Sequence, residues 1–152
     1  MREQFGSAIA IAAIGEFLPN EQSYVDLDPE QRDQYGMPVA RIHSFLADAE
    51  IMRMRFMANT CRAVLKHTGA TLVEEISSYD FLTATHVFGT CRMGMDATDS
   101  VVNEYCRTHD HDNLFIVDAS VFPSSGGGES PSLTISALAM RSADAIVKGQ
   151  RG

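Results

Sequence analysis

Two segments of this 152-residue chain gather the side chains that could do chemistry. The first is His86-Val-Phe-Gly-Thr-Cys-Arg-Met-Gly94. Imidazole changes protonation near neutral pH, so His86 has the chemistry of a general base. Set beside apolar Val87 and Phe88, it equally fits a structural histidine. The second segment is Asn113-Leu-Phe-Ile-Val-Asp-Ala-Ser-Val-Phe-Pro123, continuing through Ser124-Ser-Gly-Gly-Gly-Glu-Ser-Pro-Ser132 toward Ile146. Residues 114–117 form an apolar run that predicts a buried strand, closed by Asp118. A glycine loop (Gly126, Gly127, Gly128) follows. Ser130 directly before Pro131 then predicts a helix, with Ser130 as N-cap and Pro131 at the first helical position. The stripe Leu133, Ala137, Met140 and Ala143 or Asp144 carries that helix toward Lys148-Gly149. Such a helix start offers unpaired N–H groups and a partial positive charge, which would stabilise an anion or a ring that becomes anionic. An ordinary packing helix capped by Ser130, with glycines that only turn the chain, accounts for the same residues.

Cys106, His109 and His111 offer part of a transition-metal ligand set. The H-x-H-x-D-H pattern of metallo-hydrolases is broken, because Asn113 and Leu114 stand where Asp and His are required. A closed zinc site also needs four ligands. The expectation is a polar turn before a strand, with no resident metal. Asp26 and Asp28 hint at calcium, but the glycine and terminal glutamate of an EF-hand loop are missing, which leaves solvated turn residues.

The elements that must position these groups follow from periodicity. Gly6-Ser-Ala-Ile-Ala-Ile-Ala-Ala-Ile-Gly15 is short, apolar and rich in Ile, and predicts a buried strand. The stretch 24–42 alternates at both ends and has Pro29, Asp33 and Gly36 in its polar middle, which predicts a hairpin with a long loop. Over 44–67 the period becomes helical: Phe45, Ala49, Met52, Phe56 and Ala63 share a face, Ser44 suits the N-cap, and Lys66, His67 and Gly69 suit the end. Met52, Met54 and Met57 read as core filling. Residues 71–77 predict a further strand. Cys61, Cys91 and Cys106 are odd in number and form no C-x-x-C, so they are expected as small buried hydrophobes without a disulfide framework.

Composition narrows the function classes. Hydrophobic residues make up 45% and charged residues 21%, as in a globular protein with a core. Twelve Lys+Arg against twenty Asp+Glu give a net charge of -8, which argues against nucleic acid as partner. No apolar run approaches the ~20 residues of a transmembrane helix. The first residues lack the basic start of a signal peptide, so a soluble chain is expected.

Together, in this order and separation, the two segments resemble the C-terminal part of the glucose–methanol–choline (GMC) flavin oxidoreductases. The resemblance rests on His86-x-x-Gly-Thr-Cys-Arg-Met-Gly94, on residues 113–123, on Ser130-Pro-x-Leu-Thr-Ile-x-Ala-Leu-Ala139, and more weakly on Asp33-x-x-Gly-x-Pro38. It implies a mixed α and β fold, in which residues 1–85 supply strands and a helix of the substrate-domain sheet and residues 86–152 return to the FAD-binding domain. It further implies FAD-dependent oxidation of an alcohol carbon in a sugar, sugar acid or polyol. In the family a histidine at the position of His86 takes the hydroxyl proton. The resemblance implies that Asp118, Ala119, Ser130, Pro131 and Ser132 lie against the flavin. Family members usually carry His or Asn where this chain has Ser130, so Ser130 would be a shorter second partner for the substrate oxygen. The G-x-G-x-x-G dinucleotide signature of full-length members is absent from these 152 residues. The expectation is therefore a C-terminal portion that relies on a missing FAD-binding part or a separate chain, and that is inactive alone. The rival expectation is a non-catalytic assembly module with the same fold.

Overall fold

A computed structural model describes residues 5–71, 75, 85–127 and 129–150. The architecture is mixed α and β, as expected. Strand β1 (Tyr24–Arg32) pairs with β2 (Pro38–His43), helix α1 spans Asp48–His67, a 3₁₀ turn covers Ala119–Val121, and helix α2 spans Ser132–Lys148. The chain forms two compact units. One takes residues up to Gly15 together with Leu46–Ala84; the other takes Glu16–Phe45 and Thr85–Gly152. The predicted strand at 71–77 falls largely outside the described residues.

The first unit is built on α1. Asp48 and Glu50 occupy its first turn and Lys66 and His67 its last, the arrangement the helix dipole favours. Its end matches expectation: the Thr68 N–H reaches the Leu65 carbonyl, the Gly69 N–H reaches the Lys66 carbonyl, and Gly69 adopts a left-handed φ of 75°. Its start does not. The helix begins at Asp48 after an extended Ala47, without a side-chain cap, so Ser44 is not the N-cap. The neighbouring Phe45 N–H instead bonds the Ser23 hydroxyl at 3.0 Å, which holds the chain before the helix in extended form. The apolar run 6–15 forms no strand, because no described segment offers it a ladder. Its end packs on α1: a Cβ at Gly15 would lie 2.9 Å from Met57 Cε. Met54 and Met57 are half-buried, but Met52 and Phe56 are 62% and 71% exposed, which corrects the reading of that stripe as core. Periodicity shows which residues share a face and says nothing of what covers it.

In the second unit, β1 and β2 are antiparallel, with Tyr24 opposite His43, Asp26 opposite Arg41 and Leu27 opposite Ala40. The register breaks between Leu27 and Arg32, where Pro29 lacks a ladder donor. There the Asp28 carboxylate accepts from the N–H groups of Glu30 and Gln31 at 2.9 and 2.8 Å. Asp33 closes the turn by accepting from Tyr35 and Met37, and Gly36 takes φ 80°. The loop is thus shorter than expected, because β1 runs on past Pro29. Neither Asp28 nor Asp26 is a turn residue, which corrects the expectation: both lie within β1, Asp28 at its irregular stretch and Asp26 before it. Asp26 sits in the ladder, held by Arg41 through Nε (2.8 Å) and Nη2 (2.5 Å) and by His43 Nε2 at 3.2 Å, while Tyr24 stacks on His43 at 4.1 Å.

The Arg41 guanidinium, helped by His43, lowers the Asp26 carboxyl from 3.8 to about 2. Because the folded value lies below the unfolded one, this contribution to hairpin stability is complete above the ordinary carboxylate range. It is lost as pH falls toward 2. The group is solvent-accessible, so the effect should be small and shrink with salt. An NMR titration should place the Asp26 carboxyl midpoint near 2; a midpoint at the ordinary carboxylate value would refute the assignment.

The core of this unit is Val102, Cys106 and Val121, all fully buried, with Met93, Ile116, Phe122 and Leu138 packed around them. Cys61 and Cys91 are half-buried, so only Cys106 is the buried hydrophobe expected; all three are free thiols. Residues 114–117 are extended rather than a buried strand. Phe115 bridges Arg107, Ile116 N–H bonds the Cys106 carbonyl at 2.9 Å, and Leu114 and Val117 remain exposed. Their partner segment turns sharply at Cys106, whose φ is 60°, and is too short for a ladder.

Helix α2 follows the glycine loop as expected and ends at Gly149, left-handed at φ 63°, with Gln150 N–H on the Ala145 carbonyl. Two details differ. Pro131 occupies the cap position and no side chain caps the helix; the Ser130 hydroxyl pairs with that of Ser132 at 3.2 Å instead. The inward face is Ile135, Leu138, Ser142 and Ala145, and the Ser142 hydroxyl is satisfied by the Leu138 carbonyl at 2.9 Å. The predicted stripe faces outward, with Leu133 and Met140 84% and 74% exposed. This helix is apolar on two sides, and small Ser142 and Ala145 permit the closer approach. Among the described residues no helix is long and apolar enough to cross a membrane.

Candidate active site

Asp118 organises the site from below. Its carboxylate accepts from Ser120 N–H at 2.7 Å and caps the 3₁₀ turn. Within that turn the Ser120 carbonyl receives two amides of the histidine segment, Gly89 N–H at 3.1 Å and Cys91 N–H at 3.0 Å. Met93 N–H continues the pairing to the Val121 carbonyl at 2.8 Å, and Gly94 N–H reaches the Val102 carbonyl at 2.9 Å. Two stretches of sequence some thirty residues apart are thereby brought into register over the core. They enclose an open cavity of about 270 Å³ lined by Val87, Phe88, Thr90, Asp118, Ala119 and Ser120.

His86 precedes this lining directly. It is exposed, and its φ of 55° puts a non-glycine residue in the left-handed region. Such conformations cost energy and gather at functional sites. The structure therefore brings the histidine segment together with Asp118 and Ala119. It does not bring Ser130, Pro131 and Ser132 to the same lining. Ser130 and Ser132 are exposed and hydrogen-bonded to one another, at a helix start with no side-chain cap.

The candidate metal ligands are put to other uses. Cys106 lies in the core, His109 Nε2 contacts the Ser100 hydroxyl at 2.9 Å, and exposed His111 receives the Thr108 hydroxyl on its carbonyl at 3.0 Å. Among the described residues no group of three His, Cys, Asp or Glu side chains could hold a metal.

Sequence reasoning missed Asn103. It is buried, its Oδ1 accepts from Tyr105 N–H at 2.9 Å and Arg107 N–H at 3.1 Å, and its carbonyl accepts from Cys106 N–H at 2.9 Å. An Asn after the apolar pair Val101-Val102, followed by polar residues, is a turn signal that would have located it.

Gly89 is the strained point of the pairing, with φ 90°. A Cβ there would meet only the Phe122 carbonyl at 3.6 Å, an ordinary contact, so the penalty of a side chain is conformational. Gly89→Ala should destabilise the fold by about 1–2 kcal/mol in urea unfolding. No measurable loss would show that Gly89 does not hold this geometry in solution.

Comparison with known proteins identifies the family. The sequence model of the GMC oxidoreductase C-terminal domain matches residues 19–139. The chain is 35% identical over 144 residues to 2-methyl-1,2-propanediol dehydrogenase of Mycolicibacterium austroafricanum, covering 95% of this chain and 26% of that protein. It is 33% identical to the fructose dehydrogenase large subunit of Gluconobacter japonicus, covering 97% and 26%. It is also 37% identical to 6'''-hydroxyparomomycin C oxidase of Streptomyces lividus, covering 84% and 23%. The chain thus spans about a quarter of the length of these relatives. With the family model covering most of its length and its two chemistry-bearing segments folded against each other, this chain belongs to the GMC oxidoreductases.

Proposed function

We propose that this chain is the substrate- and flavin-contacting portion of an FAD-dependent oxidoreductase that oxidises an alcohol group of a sugar, sugar acid or polyol. The observation that carries the reading is the left-handed His86 beside a cavity shared by Val87, Phe88 and Thr90 with Asp118, Ala119 and Ser120. Family membership supports it, as do relatives named for dehydrogenation of a diol and of fructose.

The residues suit the ring end of a flavin. Val87, Phe88 and Ala119 offer an apolar wall, and a helix start without a side-chain cap leaves amide donors for an anionic ring edge. When bound, FAD supplies the two-electron acceptor for the hydride that leaves the alcohol carbon. His86 takes the hydroxyl proton as that carbon is oxidised, which requires a neutral imidazole within hydrogen-bond reach of the hydroxyl. Asp118 acts from behind, by fixing the 3₁₀ turn on which the histidine segment is hung. We read Ser130 as a polar neighbour of the flavin edge rather than as a second base, a reading supported by the sharing of its hydroxyl with Ser132. Residues 86–152 serve the flavin side and residues 1–85 the substrate side. The dinucleotide end of FAD is left to polypeptide beyond these 152 residues. The outward apolar faces of α1 and α2 are suited to packing against it.

The test is the flavin-loaded assembly under anaerobic conditions. Bleaching of the yellow flavin by a sugar or polyol supports the reading. Stable assembly without flavin would support the assembly-module alternative, and turnover by this chain alone would refute its dependence on further polypeptide.

A further inference from the structure

His109 and Ser100 are not among the residues that line the cavity. Their arrangement nevertheless connects step by step to Gly89, three residues after His86 in the same segment. Ser100 Oγ donates its proton to the Asp96 carbonyl at 2.5 Å and contacts His109 Nε2 at 2.9 Å. A hydroxyl has one proton to give. With that proton on Asp96, the bond to the imidazole must run from His109 Nε2–H to Ser100 Oγ. The Asp96 carboxylate meanwhile accepts from Thr98 through both its N–H and its hydroxyl, so the whole turn 96–100 is internally tied.

Ser100 is also jammed against the histidine segment. A Cβ at Gly94 would lie 2.7 Å from Ser100 Cβ, so the two backbones approach as closely as glycine allows. From there the pairing runs on without a gap: Gly94 to Val102, Met93 to Val121, Cys91 and Gly89 to Ser120. The far side is anchored as well, since His109 N–H bonds the Val101 carbonyl at 3.0 Å and Val101 N–H bonds the Arg92 carbonyl at 2.9 Å.

We propose that the His109–Ser100 hydrogen bond is a clip that fixes the Gly94 end of the histidine segment and thereby positions His86 for proton removal. Both are positioning residues, and the proposal rests on the role given to His86 above. What the clip requires at position 109 is an N–H donor at the distance of Nε2. Glutamine supplies one; leucine, of comparable size, does not.

The experiment compares His109→Leu, His109→Gln, Ser100→Ala and the His109→Leu/Ser100→Ala double variant in the flavin-loaded assembly. Small misplacements of a catalytic group can cost on the order of tenfold to a hundredfold in rate. His109→Leu and Ser100→Ala should each lower kcat by about tenfold with KM and flavin content nearly unchanged, and the double variant should be no worse than either single one. His109→Gln should restore kcat to within about threefold of the parent. Equal loss in His109→Gln and His109→Leu, or losses that multiply in the double variant, would overturn the clip. Amide hydrogen exchange separates this from failure of the functional reading. Exchange at Gly89, Cys91 and Met93 should quicken in His109→Leu and recover in His109→Gln whether or not any alcohol is turned over. Unchanged exchange would overturn the clip by itself.

Discussion

Replacement of His86 in the flavin-loaded assembly is expected to lower kcat by about 10²–10⁴-fold, the range that a positioned general base contributes. The comparison should use His86→Asn beside His86→Ala. Position 86 has a φ of 55°, which asparagine tolerates better than alanine, so loss in His86→Asn isolates the missing base from backbone strain. The loss should fall on kcat and kcat/KM together, because the proton is shared with the imidazole only as the alcohol carbon is oxidised. Flavin content should stay near that of the parent, since His86 is exposed and is not part of the cavity lining. Stopped-flow bleaching of the flavin by substrate is the direct measurement. A fall of less than about fivefold in both variants would lie outside the general-base range and remove His86 from that role.

The largest expected effect on stability lies at Asn103. Its Oδ1 satisfies two backbone N–H groups in a turn whose neighbours Val102 and Cys106 are fully buried. Asn103→Ala leaves both donors without that acceptor, at a cost of about 1–3 kcal/mol for each one that water cannot reach. A total loss of about 2–4 kcal/mol is expected in chemical denaturation, on the assumption that one donor is partly rehydrated. The backbone carbonyl of residue 103 still accepts from the N–H of the left-handed Cys106 at 2.9 Å, so the loss reports on the side chain alone. Asn103→Asp keeps an acceptor oxygen in place and should lose less. If both variants unfold at the parent's midpoint, the turn draws its stability from elsewhere.

These two positions also mark what a sequence reader can and cannot see. His86 was visible because its neighbours form a specific string with Gly89 and Gly94, and the folded chain sets that string against Asp118 and Ala119. Asn103 went unread although a turn signal follows Val101-Val102, because its work is done on backbone amides and no chemistry of its own marks it out. The hairpin and both helices were legible from period and turn chemistry, down to the Gly69 and Gly149 ends. The faces of the helices were not. In α2 both sides are apolar, and the choice fell to Ser142 and Ala145, whose small volume admits the core more closely than Leu133 or Met140 could. The strand expected at 6–15 failed for a related reason: apolar composition favours burial, but a strand also needs a neighbour's hydrogen bonds.

The contact between Gly94 and Ser100 has a consequence for how the sequence can drift. With 2.7 Å between Ser100 Cβ and the point where a Cβ on residue 94 would stand, residue 94 cannot gain a side chain while Ser100 stays as it is. Enlargement at 94 would be permitted only after 100 has shrunk to glycine, and that intermediate surrenders the hydroxyl shared with His109. Three positions scattered over sixteen residues are thus expected to change as a set or not at all.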